Sequence, residues 1–240
     1  MTPVTDRASA LLRDRLLTAA DTWERHLIVA DLAGDTRQVV DVGGLPGQLR
    51  SFLPGASVLA ANVAQPADLL VEPDGLPFRD RTIATVTSLD ALEHVPPAAR
   101  PGFVAELVRI ASGRVILCCP FGTPEHAASE VEVQQWYADV TGEGHPWLVE
   151  HLLYGLPTQP EIEALFAAAV DPADTVSLRY HGDFRTTNAQ FREIVTARRR
   201  PTPGALTRFA GHRARHRPDT QLHDAPSPWT NRVFVVVDRG

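Results

Sequence analysis

Hydrophobic residues recur along this chain with two different periods. Leu11, Leu12, Leu16, Leu17, Trp23, Leu27 and Ile28 fall roughly on one helical face, so 6–32 reads as a helix, and Gly34-Asp35 ends it. Strand-length apolar runs follow: Gln38–Val42, Ser57–Ala61, Asp68–Val71, Thr82–Ser88 and Arg114–Cys119. Between them, Gly47–Leu53 reads as a short helix stopped by Pro54-Gly55. Pro97–Ser112 reads as a helix with an apolar stripe (Phe103, Leu107, Val108, Ile110, Ala111) closed by Gly113. After the fifth strand the alternation loosens. Helices are expected over Pro124–Tyr137, Pro146–Tyr154 and Gln159–Val170, and a sixth strand over Thr175–Tyr180. An Arg-rich helical stretch and a loop broken by Pro218, Pro226 and Pro228 come next, before a final β-branched strand, Arg232–Val237. Alternation of this kind predicts the α/β class: a Rossmann-like, seven-stranded, mostly parallel sheet with helices on both faces. The whole chain, 1–240, reads as one domain. Its core is 36–181 plus 231–238, with an N-terminal helical cap over 1–35. Helical or loop insertions over 124–157 and 183–230 are expected to build the acceptor side.

The segment Val39-Val40-Asp41-Val42-Gly43-Gly44-Leu45-Pro46-Gly47 places an acid at the end of a strand, then a glycine turn, then the expected short helix. Glycines let backbone come close to a ligand, and a helix N-terminus favours an anion. The pattern is not the G-x-G-x-x-G of dinucleotide binders, and Pro46 sits inside it, which disfavours NAD. The chain resembles the class I S-adenosylmethionine (SAM)-dependent methyltransferases, of the methyltransferase-11-like kind, whose first motif has the form D-x-G-x-G/x-P-G. Gly75-Leu76-Pro77-Phe78, Ser88-Leu89-Asp90-Ala91-Leu92-Glu93-His94-Val95 and Arg114–Pro120 extend the resemblance over about 36–120, in the family's order. The resemblance implies SAM as cofactor. It assigns Asp41, Gly43, Gly44, Leu45, Pro46 and Gly47 to the methionine end and Asn62, which stands where the family usually has an acid, to the ribose. Glu72, Asp74 and Gly75 would border the adenine, and Leu89 and Asp90 the floor beside the sulfonium.

Methyl transfer to a hydroxyl gains from a group that removes the acceptor's proton, and histidine is the usual choice. His94 follows the fourth strand. His145, Glu150 and His151 cluster within Gly144–His151, and on a helix Trp147, Glu150, His151 and Tyr154 would share a face. These four, His94, His145, Glu150 and His151, are the catalytic candidates. Asp90, Glu93 and His94 resemble the acid–acid–His cluster that binds Mg²⁺ in some quinone-biosynthesis O-methyltransferases, but the expectation here is a site without metal. The stretch from Glu125 through His151 to Gly155-Leu156-Pro157 resembles that of actinobacterial methyltransferases found beside glycosyltransferases. The implied activity is O-methylation of a small molecule or of a glycan or lipid-linked acceptor. A SAM-binding sensor or scaffold without catalysis, and an RNA or macromolecule methyltransferase, are the alternatives.

Charge changes the picture in one place. All 23 basic residues are Arg and the formal net charge is −6, yet Arg192–Arg217 holds eight Arg and one acid, Glu193. An acidic body thus carries a basic arm. Such an arm suits a phosphorylated acceptor or peripheral contact with a membrane surface. It lacks the aromatic interleaving that nucleic-acid bases stack on, so nucleic acid is not an expected partner. No apolar run approaches the roughly 20 residues of a membrane span. The only cysteines, Cys118 and Cys119, are adjacent in a strand and should point to opposite faces, which disfavours a mutual disulfide and fits a reducing cytoplasm.

Overall fold

The computed structural model describes residues 19–72, 75–199 and 217–240. Seven strands form one sheet: β1 (Gln38–Val42), β2 (Ser57–Asn62), β3 (Leu69–Leu70), β4 (Ile83–Leu89), β5 (Ala111–Pro120), β6 (Thr175–Asp183) and β7 (Thr230–Asp238). Their order is β3-β2-β1-β4-β5-β7-β6. β1 to β5 pair in parallel, and β7 runs antiparallel to both β5 and β6. The described helices are α1 (Ala20–Ala33), α2 (Arg100–Ile110), α3 (Pro124–Thr141), α4 (Pro146–Tyr154), α5 (Gln159–Ala169) and α6 (Phe184–Arg199). None is long and apolar enough to cross a membrane.

The two-residue period of the strands sorts the core into two layers. Val115, Leu117 and Cys119 join Val40, Val42 and Val86 on one face, under Leu107 and Ile110 of α2 and Ile162 and Phe166 of α5. Ile116, Cys118 and Phe234 join Val39 and Val58 on the other, under Ile28 and Val29 of α1. Each fully buried Leu, Ile or Val of this kind contributes about 1.5–3 kcal/mol. Cys118 and Cys119 are therefore buried in different layers, both as free thiols, and burial pushes both thiols up from their ordinary value.

Several boundaries move. The helix expected to reach Ser112 stops at Ile110, and Ala111–Gly113 already belong to β5, where Ala111 pairs with Ile83. Close packing there leaves no room for a side chain on Gly113, whose Cβ would stand 2.8 Å from the Ala84 carbonyl oxygen. Gly47–Leu53 is not a helix but a loop holding one 3₁₀ turn, Leu49–Ser51. The anion preference of a helix N-terminus therefore lends nothing to the first motif. α3 runs on to Thr141, where Gly142 caps it in the left-handed region, and β6 extends to Asp183. Of the expected N-terminal helix only the part from Ala20 is described, and 200–216 of the basic arm lie outside the described residues. Strand order reverses between β1 and β4, so the loops after these two strands flank the crevice where open α/β sheets bind ligands.

Candidate active site

β1 ends in Asp41 and Val42, and the chain then turns through Gly43 at φ 85°. The Gly43 N–H donates to the Ala61 carbonyl of β2 (2.8 Å), which anchors the loop. A Cβ on Gly43 would stand 2.7 Å from the Ala91 Cβ, and one on Gly44 only 1.9 Å from Asp41 Oδ2. The loop thus lies directly on the Asp41 carboxyl and against the chain leaving β4, and only glycine fits either position. Asp41 is buried and accepts from the Thr87 hydroxyl at 2.8 Å. Burial raises its pKa to about 6 against the opposing hydrogen bond and the charge of Arg25. Leu45, Pro46 and Gly47 are exposed along the loop.

Asn62 ends β2 as expected, but its amide is directed at the glycine loop. Its Oδ1 accepts from the Val63 N–H (2.8 Å), which turns Nδ2 toward the carbonyls of Gly43 (3.3 Å) and Gly44 (3.4 Å). An aspartate could still accept from Val63 but could not donate to the two loop carbonyls. Glu72 and Gly75 face each other across a β-bridge, with Glu72 exposed, and Asp74 lies outside the described residues.

Asp90 follows Leu89 in the left-handed region at φ 50°, a conformation that Asp tolerates better than most residues. Its carboxylate meets Arg25 of α1 (2.8 Å) and Arg232 of β7. Asp21 joins the same network through Arg25 (3.1 Å) and by accepting from Nε and Nη2 of Arg232 (2.9 and 2.7 Å). Although burial opposes the charge, Arg232 and Arg25 hold the Asp21 carboxyl well below the usual range. Asp90 is therefore engaged by arginines from two elements and is not grouped with Glu93 and His94. Reading the sequence missed Asp21, Arg25 and Arg232. The signal was a lone arginine, Arg232, directly ahead of the apolar run Val233–Val237 of β7.

A 3₁₀ turn, Leu92–His94, then carries Glu93 inward and leaves His94 partly exposed. α4 packs over this turn and brings two of the predicted residues to it. His94 Nδ1 lies 2.6 Å from Glu150 Oε2, and the His94 and His151 rings stand 4.9 Å apart. His151 Nδ1 lies 3.0 Å from each oxygen of Glu130 on α3. His94 Nε2 is 3.9 Å from Glu93 Oε1. The Glu93 side chain is 1% exposed, and its Oε2 and the buried Nε2 of His151 have no hydrogen-bond partner. Burial and the charge of Asp90 push the Glu93 carboxyl up to about 8. Burial, joined by the charge of His151, lowers the pKa of His94 despite Glu150. Burial also works against charge on His151, but the hydrogen bond and charge of Glu130 outweigh it and raise its pKa. The neutral form of His94 is thus favoured, the form in which an imidazole acts as base or as ligand.

The single helical face drawn from Trp147, Glu150, His151 and Tyr154 divides. Glu150 and His151 reach the turn, whereas Trp147 is 66% exposed. His145 precedes α4 and packs against Tyr137 (4.9 Å), Phe191 (5.3 Å) and Trp147 (5.5 Å); its buried Nδ1 has no hydrogen-bond partner, and it makes no described hydrogen bond to the His94 cluster. Glu130 was not singled out beforehand. Its i,i+4 spacing from His126 was visible, but its partner His151 lies on another helix.

No family model and no curated protein sequence matches the chain. Solved structures do. A phosphoethanolamine N-methyltransferase 2 from Haemonchus contortus, in complex with S-adenosyl-L-methionine, superposes with a TM-score of 0.52 at 14% identity, over 90% of this chain and 52% of that one. A geranyl diphosphate methyltransferase in complex with SAM superposes with a TM-score of 0.51 at 14% identity, over 90% of this chain and 84% of that one. The sheet order, the single antiparallel strand and these superpositions agree: the chain has the Rossmann-like α/β fold of the class I SAM-dependent methyltransferases.

Proposed function

We propose that this protein is a SAM-dependent methyltransferase that methylates an oxygen of a small-molecule, glycan or lipid-linked acceptor. The observation that carries the reading is the glycine loop. Gly43 and Gly44 press backbone against Asp41 and Ala91 with no space for a Cβ, at the crevice between β1 and β4. That cradle fits a ligand that needs close backbone approach, and both superposed methyltransferases were crystallised with SAM. Asp41 and Gly43–Gly47 would hold the cofactor's methionine end, with Leu89 flooring the pocket. Asn62 would act through the loop it braces. The cofactor, when bound, supplies an activated methyl group and its leaving group, so the protein's work is alignment and removal of the acceptor's proton.

The cluster beside the loop supplies that second part. His94, oriented by Glu150, stands one 3₁₀ turn from Ala91, which touches the loop, and the ring of His151, oriented by Glu130, lies beside it. A hydroxyl acceptor gains from such groups, which favours oxygen as the methylated atom. The described part of the basic arm, with Arg192, Arg198 and Arg199 on α6, suits a phosphate on the acceptor. One superposed enzyme is a geranyl diphosphate methyltransferase, which supports an acceptor of that kind.

Calorimetry tests the cofactor. SAM and S-adenosylhomocysteine should both bind the wild type. Gly43→Arg should abolish both in the protein that remains folded, because its side chain would enter the space held by Ala91. No binding heat from either ligand on folded wild-type protein refutes the reading. Conversion of SAM to S-adenosylhomocysteine in the presence of hydroxyl acceptors then separates an enzyme from a sensor.

A further inference from the structure

We propose that Glu93, His94 and His151 form a binding site for a divalent transition-metal ion. The donor atoms of these three residues all lie within 4.8 Å of one another. His94 Nε2 and Glu93 Oε1, 3.9 Å apart, are already within the span of two ligands that each bond an ion at about 2.1 Å.

Three further observations point to a cation. Glu93 Oε2 and His151 Nε2 are buried polar atoms with no hydrogen-bond partner, which is costly unless something else satisfies them. Both imidazoles have Nδ1 engaged by a carboxylate, His94 by Glu150 and His151 by Glu130. In metal sites this outer carboxylate fixes the tautomer and leaves the Nε2 lone pair for the ion. The remaining carboxylates, Glu130 and Glu150, add negative charge around the site without occupying its donor positions. Asp90 is no part of it, because Arg25 and Arg232 take its carboxylate. Two imidazoles and one carboxylate suit Zn²⁺, Co²⁺, Mn²⁺ or Fe²⁺ and disfavour Mg²⁺, which prefers an all-oxygen shell.

The site itself stands on geometry alone; its use rests on the proposed methyl transfer. An ion there would act as a Lewis acid on an acceptor oxygen and ease the loss of its proton. It would then be the cluster's contribution to catalysis, since the same His94 lone pair cannot serve both as ligand and as base.

The test is Co²⁺ titration of chelator-stripped full-length protein, followed by visible absorption and equilibrium dialysis. One Co²⁺ per chain is expected, undisturbed by excess Mg²⁺. His94→Ala and His151→Ala should abolish saturable binding. Glu150→Gln changes a side chain that is 47% exposed and should leave folding intact. It should weaken binding roughly 10- to 100-fold, the usual cost of losing an outer carboxylate. No saturable Co²⁺ binding by the wild type, binding untouched by His151→Ala, or displacement by equimolar Mg²⁺ each overturns the site. SAM calorimetry on the same samples keeps the two readings apart: Co²⁺ binding without SAM binding removes the methyltransferase reading and leaves the metal site standing.

Discussion

At the scale of the residue, Asp41 shows what a motif does and does not reveal. An acid at a strand end before Gly43-Gly44 marks a ligand loop. Its burial under Gly44 and its bond from Thr87 follow only from β4 lying beside β1. Because the folded protein raises this carboxyl from 3.8 to about 6, the neutral form is the one the fold tolerates. The associated stability is fully present below about pH 4 and is lost as pH rises through about 6, at a cost on the order of 3 kcal/mol. Asparagine avoids that cost while still accepting from Thr87. Without cofactor, Asp41→Asn should therefore unfold at a higher temperature than wild type at pH 8 and lose this advantage at pH 4. An equal difference at both pH values in circular-dichroism melts would show that Asp41 does not titrate as described.

At the scale of the element, the turn carrying His94 and the helix carrying His151 must be held in register, and Arg100 does this. Its buried guanidinium at the start of α2 donates to the Val95 carbonyl (3.1 Å), to Glu161 of α5 (2.7 Å) and to the carbonyls of Tyr154 (3.2 Å) and Gly155 (2.6 Å), where α4 ends. A lysine cannot spread donors over four acceptors in a fixed fork. Arg100→Lys should lower stability by about 1–3 kcal/mol, the range for stranding buried acceptors, seen as a lower urea midpoint at an unchanged slope. A wild-type midpoint would mean that α4 is held by other contacts. The existence of α4 was legible in its sequence from Pro146 to Tyr154. Which of its residues reach the site was not, because Trp147 belongs to the same helical face as Glu150 and yet stands exposed.

At the scale of the whole molecule, the Asp21–Arg25–Asp90–Arg232 network joins α1, the end of β4 and β7. Arg232 is almost wholly buried and faces two carboxylates, so removing it leaves Arg25 as the one arginine for both charges. Arg232→Ala should cost about 3–5 kcal/mol of unfolding free energy in urea titrations. The loss should shrink in the double variant Arg232→Ala/Asp90→Asn, which leaves Arg25 a single acid to balance. With Asp90→Asn measured alone, single losses that simply add in the double variant would mean that Asp90 and Arg232 are not coupled.

The sequence by itself determined the strands, most helices, the glycine turn after Asp41 and the opposite facing of Cys118 and Cys119. All of these follow from residue periodicity and turn chemistry acting over a few neighbours. Tertiary structure alone decided the rest. It ended α2 at Ile110, where close approach of β5 to β4 at Gly113 drew the preceding residues into the sheet, and it reduced Gly47–Leu53 to a single 3₁₀ turn. It turned Asn62 onto the glycine loop, tied Asp90 to an arginine 142 residues away and set His151 between Glu130 and His94. Charges and imidazoles find partners by distance in space, and that distance is fixed only once the elements have packed.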